Sequence, residues 1–328
     1  MAIGEQLDVG SPMTSPLWII VLTYNSGREI NQCVRSIERP SGVRVMVIDN
    51  NSSDDTRSVL RTLSDEGLID RLILRESNAG FAKAINEAIA ATPNDSDVLL
   101  LNPDAILDCG SLEQLRSAAS ELRDVGILSP LVYSGNTVKT TTAGRQPFVL
   151  PMLAHFTGLS RLCRRTSKFK GRYLYLDGQL QSVEPVEWVA GACMYIKRET
   201  IERIGVLSER WFMYAEDTEY CWRALTHGLS VVMLTDIGCF HAMGQSVKRS
   251  PSDDINVMWP RSLSDYYKTT FDPSPLTFAI WRTIFSLGLL SRSIVFFFRG
   301  RQSRNDALLY EARRFAKFAG AVWANADA

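Results

Sequence analysis

The chain has 328 residues, 45% apolar and 22% charged, which is enough for a sizeable core and ordinary for a globular protein. Lys plus Arg and Asp plus Glu both total 36, so no net field recruits a polyanion and nucleic acid is a poor expectation, although basic residues gather near the C-terminus. The cysteines (33, 109, 163, 193, 221 and 239) are scattered without a C-x-x-C pair, which argues against a secreted disulfide framework and structural zinc and points to a reducing compartment, the cytosol.

Residues 1–16, "MAIGEQLDVGSPMTSP", lack the cationic and apolar run of a signal peptide and read as a loose lead-in. From Leu17 onward, short apolar runs alternate with helical patterns: "LWIIVLTY", "REINQCVRSIE", "VRVMVID", "DTRSVLRTLSDEG", "DRLILRES", "AGFAKAINEAIAAT" and "DVLLLNPD". Strands that are apolar almost throughout, separated by helices, predict βαβ units around a parallel sheet covered on both faces. Ligands in such sheets bind beyond the strand C-terminal ends. Here those ends read "TYNSG", "DNNSSD", "ESNAG" and "LNPDA". Singly, each is what a turn or an N-cap prefers; in succession they mark a ligand-facing edge.

After the strand "GILSPLVY" the pattern is lost over 134–187, a length that predicts a lid or acceptor-side insertion. "WVAGACMYIKRE" then reads as strand and helix. The stretch 212–224, "FMYAEDTEYCWRA", sets Glu216, Asp217 and Glu219 among Phe212, Tyr214, Tyr220 and Trp222, an acidic cluster in an aromatic frame where desolvation can tune proton affinity. "LSVVMLTD" and "IGCFHAMG" read as two further strands ending near His241.

Beyond Pro260 comes a short helix, "RSLSDYYKTTF", and then the apolar run 276–298, long enough to cross a bilayer but carrying Arg282 and Arg292. At about 100° per residue, Arg282, Ser286, Arg292, Ser293 and Arg299 share an arc of roughly 140°. An interfacial helix lying in the membrane plane fits this better than a span, with Arg299, Arg301, Arg304, Arg313 and Arg314 against anionic headgroups. The alternative is a helix docked on the domain or on a second subunit, which would make a homodimer. The expected division is a lead-in (1–16), a main domain (17–259) and a helical C-terminal region (260–328). On this reading removing 276–328 should release the protein from membranes and leave ligand binding largely intact.

Seven motifs, "VLTYN", "VIDNNSSDDT", "NAGFAKAIN", "LLLNPDAIL", "GACMYIKRE", "FMYAEDTEYCWRA" and "FHAMG", occur in the order that resembles a family 2 glycosyltransferase of the GT-A fold, closest to bacterial rhamnosyltransferase-like members. The resemblance covers about 17–244. It implies an α/β fold with a Rossmann-like mixed, mainly parallel sheet flanked by helices, here followed by the helical, membrane-associating appendage. It assigns nucleotide-sugar contacts to the turn Thr23, Tyr24 and Asn25, to Asp49 and Asn51, and to Asn78, Gly80, Phe81 and Lys83. The carboxylate of Asp49 can accept strong hydrogen bonds from a base or ribose, or else start a turn. Gly80 permits close backbone approach ahead of a helix whose N–H groups and dipole suit an anion, while Asn78 is equally an N-cap.

"NPD", 102–104, stands where the fold usually has two aspartates flanking one residue and holding a divalent cation. The first acid is missing. Asp104 remains as an oxygen ligand for Mn²⁺ or Mg²⁺, His241 is the second ligand by similarity, and Asn102 would contact sugar or a metal-bound water. Asp217 is the expected general base of an inverting displacement, with Glu216 orienting hydroxyls; Asp217 is also a candidate N-cap for the helix after it. Trp188, Gly191 and Ala192 would line the donor-sugar pocket. The resulting expectation is a cytoplasmic enzyme, peripheral on the inner face of the cell membrane, moving L-rhamnose from dTDP-L-rhamnose to a lipid-linked or polysaccharide acceptor in cell-envelope glycan synthesis. A UDP-hexose or UDP-galactofuranose donor is the nearest alternative, and the incomplete acidic pair at Asn102 leaves open a non-catalytic sugar-nucleotide-binding scaffold. A nucleotidyltransferase is disfavoured, because "TYNSGREIN" offers a single Gly where a Gly-rich phosphate loop should be.

Overall fold

The computed structural model of the chain describes residues 15–134, 142–163, 170–176, 180–242 and 255–324, so the expected lead-in lies outside it except for Ser15 and Pro16. The N-terminal half follows the alternation of apolar runs: β1 (Leu17–Thr23), α1 (Gly27–Ser36), β2 (Val43–Asp49), α2 (Thr56–Asp65), β3 (Arg71–Leu74), α3 (Phe81–Ala90) and β4 (Asp97–Leu101). β1 pairs in parallel with β2, Leu17 opposite Val43 and Thr23 opposite Asp49, and with β4; β2 pairs in parallel with β3. Successive side chains of a strand point to opposite faces. Leu17, Ile19 and Val21 therefore pack with Ile30, Cys33 and Val34 of α1 on one face, while Ile20, Met46 and Ile48 pack with Ile85, Ala88 and Ile89 of α3 on the other.

The second half is β5 (Ala105–Leu107), α4 (Ser111–Glu121), β6 (Val125–Tyr133), β7 (Ala143–Gly144), α5 (Val149–Thr157), α6 (Leu159–Leu162), β8 (Val183–Val186), β9 (Trp188–Val189), β10 (Cys193–Ile196), α7 (Arg198–Ile204), α8 (Glu216–Thr226) and β11 (Ser230–His241). The nine-stranded sheet runs β3-β2-β1-β4-β10-β6-β11-β5, with β8 beside β11. It is parallel from β3 to β4 and mixed thereafter. β10 lies antiparallel between β4 and β6, and β11 is parallel to β6 but antiparallel to β5 and β8. The expectation of two strands over 229–244 is corrected for the described part: β11 is continuous through Thr235 and Asp236. Its register on β6 shifts between Leu234 and Gly238, so a bulge absorbs the polar pair that interrupts the apolar pattern.

The C-terminal region forms α9 (Met258–Phe271), α10 (Pro275–Ser303) and α11 (Asp306–Ala321). α10 starts where Ser274 caps it, accepting from the Thr277 N–H, with Pro275 in the first turn. Trp281, Phe285 and Leu289 of α10 join Leu263, Tyr266 and Tyr267 of α9 and Met152, Trp211 and Ala215 of the main domain in a third core. Trp281 stacks on Tyr267 at 4.6 Å and donates its indole N–H to the Pro147 carbonyl. The tail therefore shares a buried core with the main domain, a contact that the expectation of a removable 276–328 did not include.

Ser286, Arg292 and Ser293 of the polar arc of α10 face inward, opposite to a free interfacial helix, while Arg299 stays exposed. Ser286 and Ser293 donate to the Ala319 and Ala312 carbonyls of the α11 segment, and Arg292 meets His155 of α5 and lies 4.8 Å over the Phe156 ring. The face left exposed is apolar: Leu276, Ile280, Leu287, Leu290, Ile294, Val295, Phe297 and Phe298. By length and composition α10 could cross a membrane, with 28% of its most apolar window buried in the protein.

Candidate functional site

The site is built around the N-terminus of α3. Gly80 has φ +92°, and a Cβ there would overlap the Phe212 carbonyl oxygen. The Phe81 N–H donates to that same oxygen at 2.8 Å, so the loop ahead of α8 lies directly on the start of α3. Gly80 N–H donates to Asn78 Oδ1 at 3.1 Å. Two N–H groups expected to greet an anion are therefore already engaged, and Gly80 serves chiefly to seat the acidic loop. Within that loop Tyr214 and Ala215 both have left-handed backbones, φ +71° and +74°. Such residues cost roughly 1–3 kcal/mol each and persist only where packing over-determines them. Here Ala215 is buried in the third core and Ser262 of α9 donates to the Met213 carbonyl at 2.9 Å.

This places Glu216 and Asp217 in the first turn of α8, where the helix dipole favours carboxylates. Ala215, not Asp217, occupies the N-cap position. Asp217 Oδ1 accepts from the Thr218 N–H (2.6 Å) and the Thr218 hydroxyl (3.2 Å), and Oδ2 accepts from the Gly191 N–H at 3.2 Å. Burial raises the Asp217 carboxyl above the ordinary aspartate value, opposed by these donors and by the Arg172 guanidinium. Glu216 is 4% exposed and its Oε2 has no hydrogen-bond partner among the described residues. Burial, then the Asp217 charge, pushes it up to about 8. The pair thus divides: Glu216 keeps its proton around neutral pH, while donors and the Arg172 cation oppose burial at Asp217, the usual signature of two carboxyls given different environments.

Across the cavity, His241 Nε2 lies 2.9 Å from Asp104 Oδ1 and 3.3 Å from the Asn102 side-chain amide. The Ala242 N–H donates to the Asp104 carbonyl at 3.2 Å, and Asn102 N–H to that of Ala192 at 2.9 Å, tying the ends of β4 and β11 to the "WVAGA" segment. At 2.9 Å the Asp104 and His241 side chains hydrogen-bond to each other, and a carboxylate oxygen and an imidazole nitrogen are donor types that would suit a divalent cation. The buried His241 Nδ1 has no partner among the described residues. No cluster of three or more His, Cys, Asp or Glu suited to a metal occurs among the described residues. An ion here would be completed by Asn102, water or ligand oxygens, as small hard cations usually are.

Tyr24, Asn78, Gly80, Phe81, Asn102, Asp104, Trp188, Gly191, Ala192, Glu216, Asp217 and His241 all line one cavity of about 490 Å³. Thr23, Asn25, Asp49, Asn51 and Lys83 do not. Asp49 is fully buried: it accepts from Thr23 Oγ1 and Ser52 Oγ on one oxygen, and from Ser52 N–H and Arg57 Nε on the other, so it knits together the loops after β1 and β2. Asn25 accepts from the Ser53 N–H, Asn51 from Arg57, and Lys83 is exposed. Asn50, next to Asp49, faces the cavity instead, bonded to Asn78 Oδ1 at 2.7 Å.

Arg172, Tyr173, Trp259 and Leu263 are among the lining residues that escaped sequence reasoning. Arg172 and Tyr173 come from the segment without periodicity, Trp259 from the last position of the expected main domain and Leu263 from the region assigned to the tail. No local pattern marks any of them; the composition of 134–187, basic and aromatic but unpatterned, was the only hint.

The sequence model of glycosyl transferase family 2 matches residues 18–204. The chain is 27% identical over 259 residues to the N-acetylglucosaminyl-diphospho-decaprenol L-rhamnosyltransferase of Mycobacterium tuberculosis, covering 74% of this chain and 81% of that protein. It is 22% identical to the dTDP-rhamnosyl transferase RfbF of Shigella flexneri, covering 84% and 87%. It is also 27% identical to the low-salt glycan biosynthesis hexosyltransferase Agl10 of Haloferax volcanii, covering 71% and 69%. Among solved structures, the mannosyltransferase PcManGT of Pyrobaculum calidifontis, in complex with GDP-Man and Mn²⁺, shares the fold with a TM-score of 0.54 at 15% identity, covering 97% of this chain and 88% of that one. GalNAc-T7 with UDP, GalNAc and Mn²⁺ does so with a TM-score of 0.55 at 12% identity, covering 79% and 48%. With more than half its length matched by the family model, the chain belongs to glycosyl transferase family 2 and is a glycosyltransferase.

Proposed function

We propose that the chain is an inverting glycosyltransferase that moves L-rhamnose from dTDP-L-rhamnose to a lipid-linked or polysaccharide acceptor at the cytoplasmic face of the cell membrane. The observation that carries this is the convergence of a held carboxylate, Asp217, and the Asp104–His241 pair on one cavity. The donor choice leans on the rhamnosyl transferases among the relatives; a UDP-hexose or UDP-galactofuranose is the alternative donor.

In this reading the acceptor hydroxyl lies against Asp217, whose free lone pair takes its proton as the oxygen attacks the anomeric carbon. The new glycosidic bond forms as the bond to the nucleoside diphosphate breaks on the opposite face, and the diphosphate leaves with the electron pair. Protonated Glu216 donates to a sugar or acceptor hydroxyl. Asn50, Asn78 and Tyr24 face the nucleoside side, while Trp188, Gly191 and Ala192 shape the sugar side. Asp104 and His241 would hold a divalent cation, Mn²⁺ or Mg²⁺, which when bound would supply Lewis-acid stabilisation of charge on the diphosphate. The segment 134–187 contributes Arg172 and Tyr173 to the same cavity, which supports its reading as an acceptor-side insertion.

Membrane contact is assigned to the exposed apolar face of α10. The hydroxyls within that stripe, Thr283 and Ser291, donate back to carbonyls of their own helix, and Arg299, Arg301 and Arg304 follow at its end. Purified protein given dTDP-L-rhamnose, UDP-galactofuranose or UDP-hexoses, with and without Mn²⁺, should release its nucleoside diphosphate fastest from dTDP-L-rhamnose. Absence of nucleotide release and of sugar transfer with every donor would leave the scaffold reading instead. Sedimentation with phosphatidylglycerol vesicles should carry the protein down and fail for Leu287→Glu/Ile294→Glu; a dimer in solution that ignores vesicles would assign the stripe to a second copy.

A further inference from the structure

Arg172 is 5% exposed and comes from the segment without sequence periodicity. Its guanidinium lies 3.8 Å over the Trp188 ring, whose indole N–H donates back to the Arg172 carbonyl at 3.3 Å. Nη1 donates to the Arg145 carbonyl at 2.7 Å and Nη2 to the Thr218 hydroxyl at 3.1 Å. Gly144 presses on the Arg172 carbonyl so closely that a Cβ there would overlap it. The side chain is therefore fixed at both ends.

A guanidinium has donors only. Because Thr218 Oγ1 accepts from Arg172, its own proton must point elsewhere, and the acceptor within reach is Asp217 Oδ1 at 3.2 Å. With the Thr218 N–H on the same oxygen, Oδ1 is occupied by two donors, while Oδ2 holds one, from Gly191. We propose that Arg172 is a positioning residue for the general base: through the Thr218 hydroxyl it locks Asp217 Oδ1 and sets a cation beside the buried carboxylate, leaving Oδ2 to receive the acceptor proton. This rests on the assignment of Asp217 as the base.

The other titratable groups around this relay are Glu216, Cys221, Tyr173 and Tyr266. Burial pushes Glu216, the Cys221 thiol and the Tyr266 phenol up, toward their neutral forms. Arg172 thus supplies the cation that opposes burial at Asp217.

The test is the pH dependence of kcat for sugar release from dTDP-L-rhamnose, with dTDP affinity measured alongside. Arg172→Gln should raise the acidic limb by about one to three pH units, the size of an Arg effect on a neighbouring carboxylate, with dTDP affinity near wild type. Arg172→Lys should restore the limb while kcat stays low, because the charge returns without the fork. A merely structural role would lower kcat equally at every pH. If Arg172→Gln fails to fold, Thr218→Val breaks the same relay and should raise the limb; an unmoved limb counts against the proposal. If Asp217→Asn abolishes turnover while the Arg172 and Thr218 variants leave the limb in place, the positioning role is overturned and the base assignment stands. Full activity of Asp217→Asn overturns the base assignment itself.

Discussion

A chain cut after Ser274 loses α10 and α11 and should lose the nucleotide site with them. Trp281, Phe285, Leu289 and Val322 are all fully buried and all lie beyond the cut. At about 1.5–3 kcal/mol for each large apolar side chain taken from water, their loss removes roughly 6–12 kcal/mol, on the scale of the entire net stability of a domain. The damage would be local to function, because the partners left uncovered include Trp211, Ala215 and Leu263. Ala215 holds the left-handed backbone ahead of Glu216, and Leu263 lines the cavity. Thermal unfolding followed by circular dichroism should show no cooperative transition near that of the full chain, and calorimetry should show no dTDP binding. The milder Trp281→Ala, which empties the stack on Tyr267, should cost about 3–5 kcal/mol. A truncated chain that melts cooperatively and binds dTDP with full affinity would refute the reasoning and restore the tail as an independent anchor.

Glu216→Gln should change how stability depends on pH. The folded carboxyl, raised from 4.5 to about 8, binds a proton that the unfolded chain releases between those values. Wild-type stability therefore falls as pH rises through that window and levels off above it, by up to about 5 kcal/mol. Urea unfolding at intervals from pH 5 to 8 should show a shallower slope for the Gln variant, and parallel curves would count against a buried neutral Glu216. Gly80→Ala should weaken dTDP binding and cost about 1–3 kcal/mol, since it combines φ +92° with overlap on the Phe212 carbonyl; Gly67→Ala, at φ +73° with nothing within 4 Å of a Cβ, is the control for backbone strain alone. Asp104→Ala and His241→Ala should each abolish any Mn²⁺ enhancement of dTDP binding, and an enhancement that survives both removes them from the ion site.

The parts of the fold governed by local pattern were legible in the sequence. β1 to β4 and their helices follow from runs buried on both faces, and the polar strand ends did bring Asn78, Gly80, Asn102 and Asp104 to one edge. Features set by long-range pairing were not. The insertion of β10 between β4 and β6 has no local signal, and the "TD" interruption in β11 looks like a strand break because a bulge and a turn share their residue preferences. Asp49 illustrates a different limit: its residue type alone does not show that Ser52 and Arg57, only a few positions onward, bond both its oxygens. Periodicity found the polar arc of α10 but could not say which face met protein, and the inward turn of Ser286, Arg292 and Ser293 leaves the apolar side outward. Arg172 could not be found at all, since its meaning lies in Trp188 and Thr218, distant in sequence and adjacent in space.

The most direct test compares Asp217→Asn with wild type in two assays at neutral pH with Mn²⁺: dTDP binding by calorimetry and the rate of sugar transfer from dTDP-L-rhamnose. The substitution keeps the shape of the side chain and removes its capacity to take a proton. Nucleotide affinity should stay near wild type while the transfer rate falls by about 10²–10⁴-fold, the usual worth of a positioned base. Transfer at the wild-type rate would contradict the account.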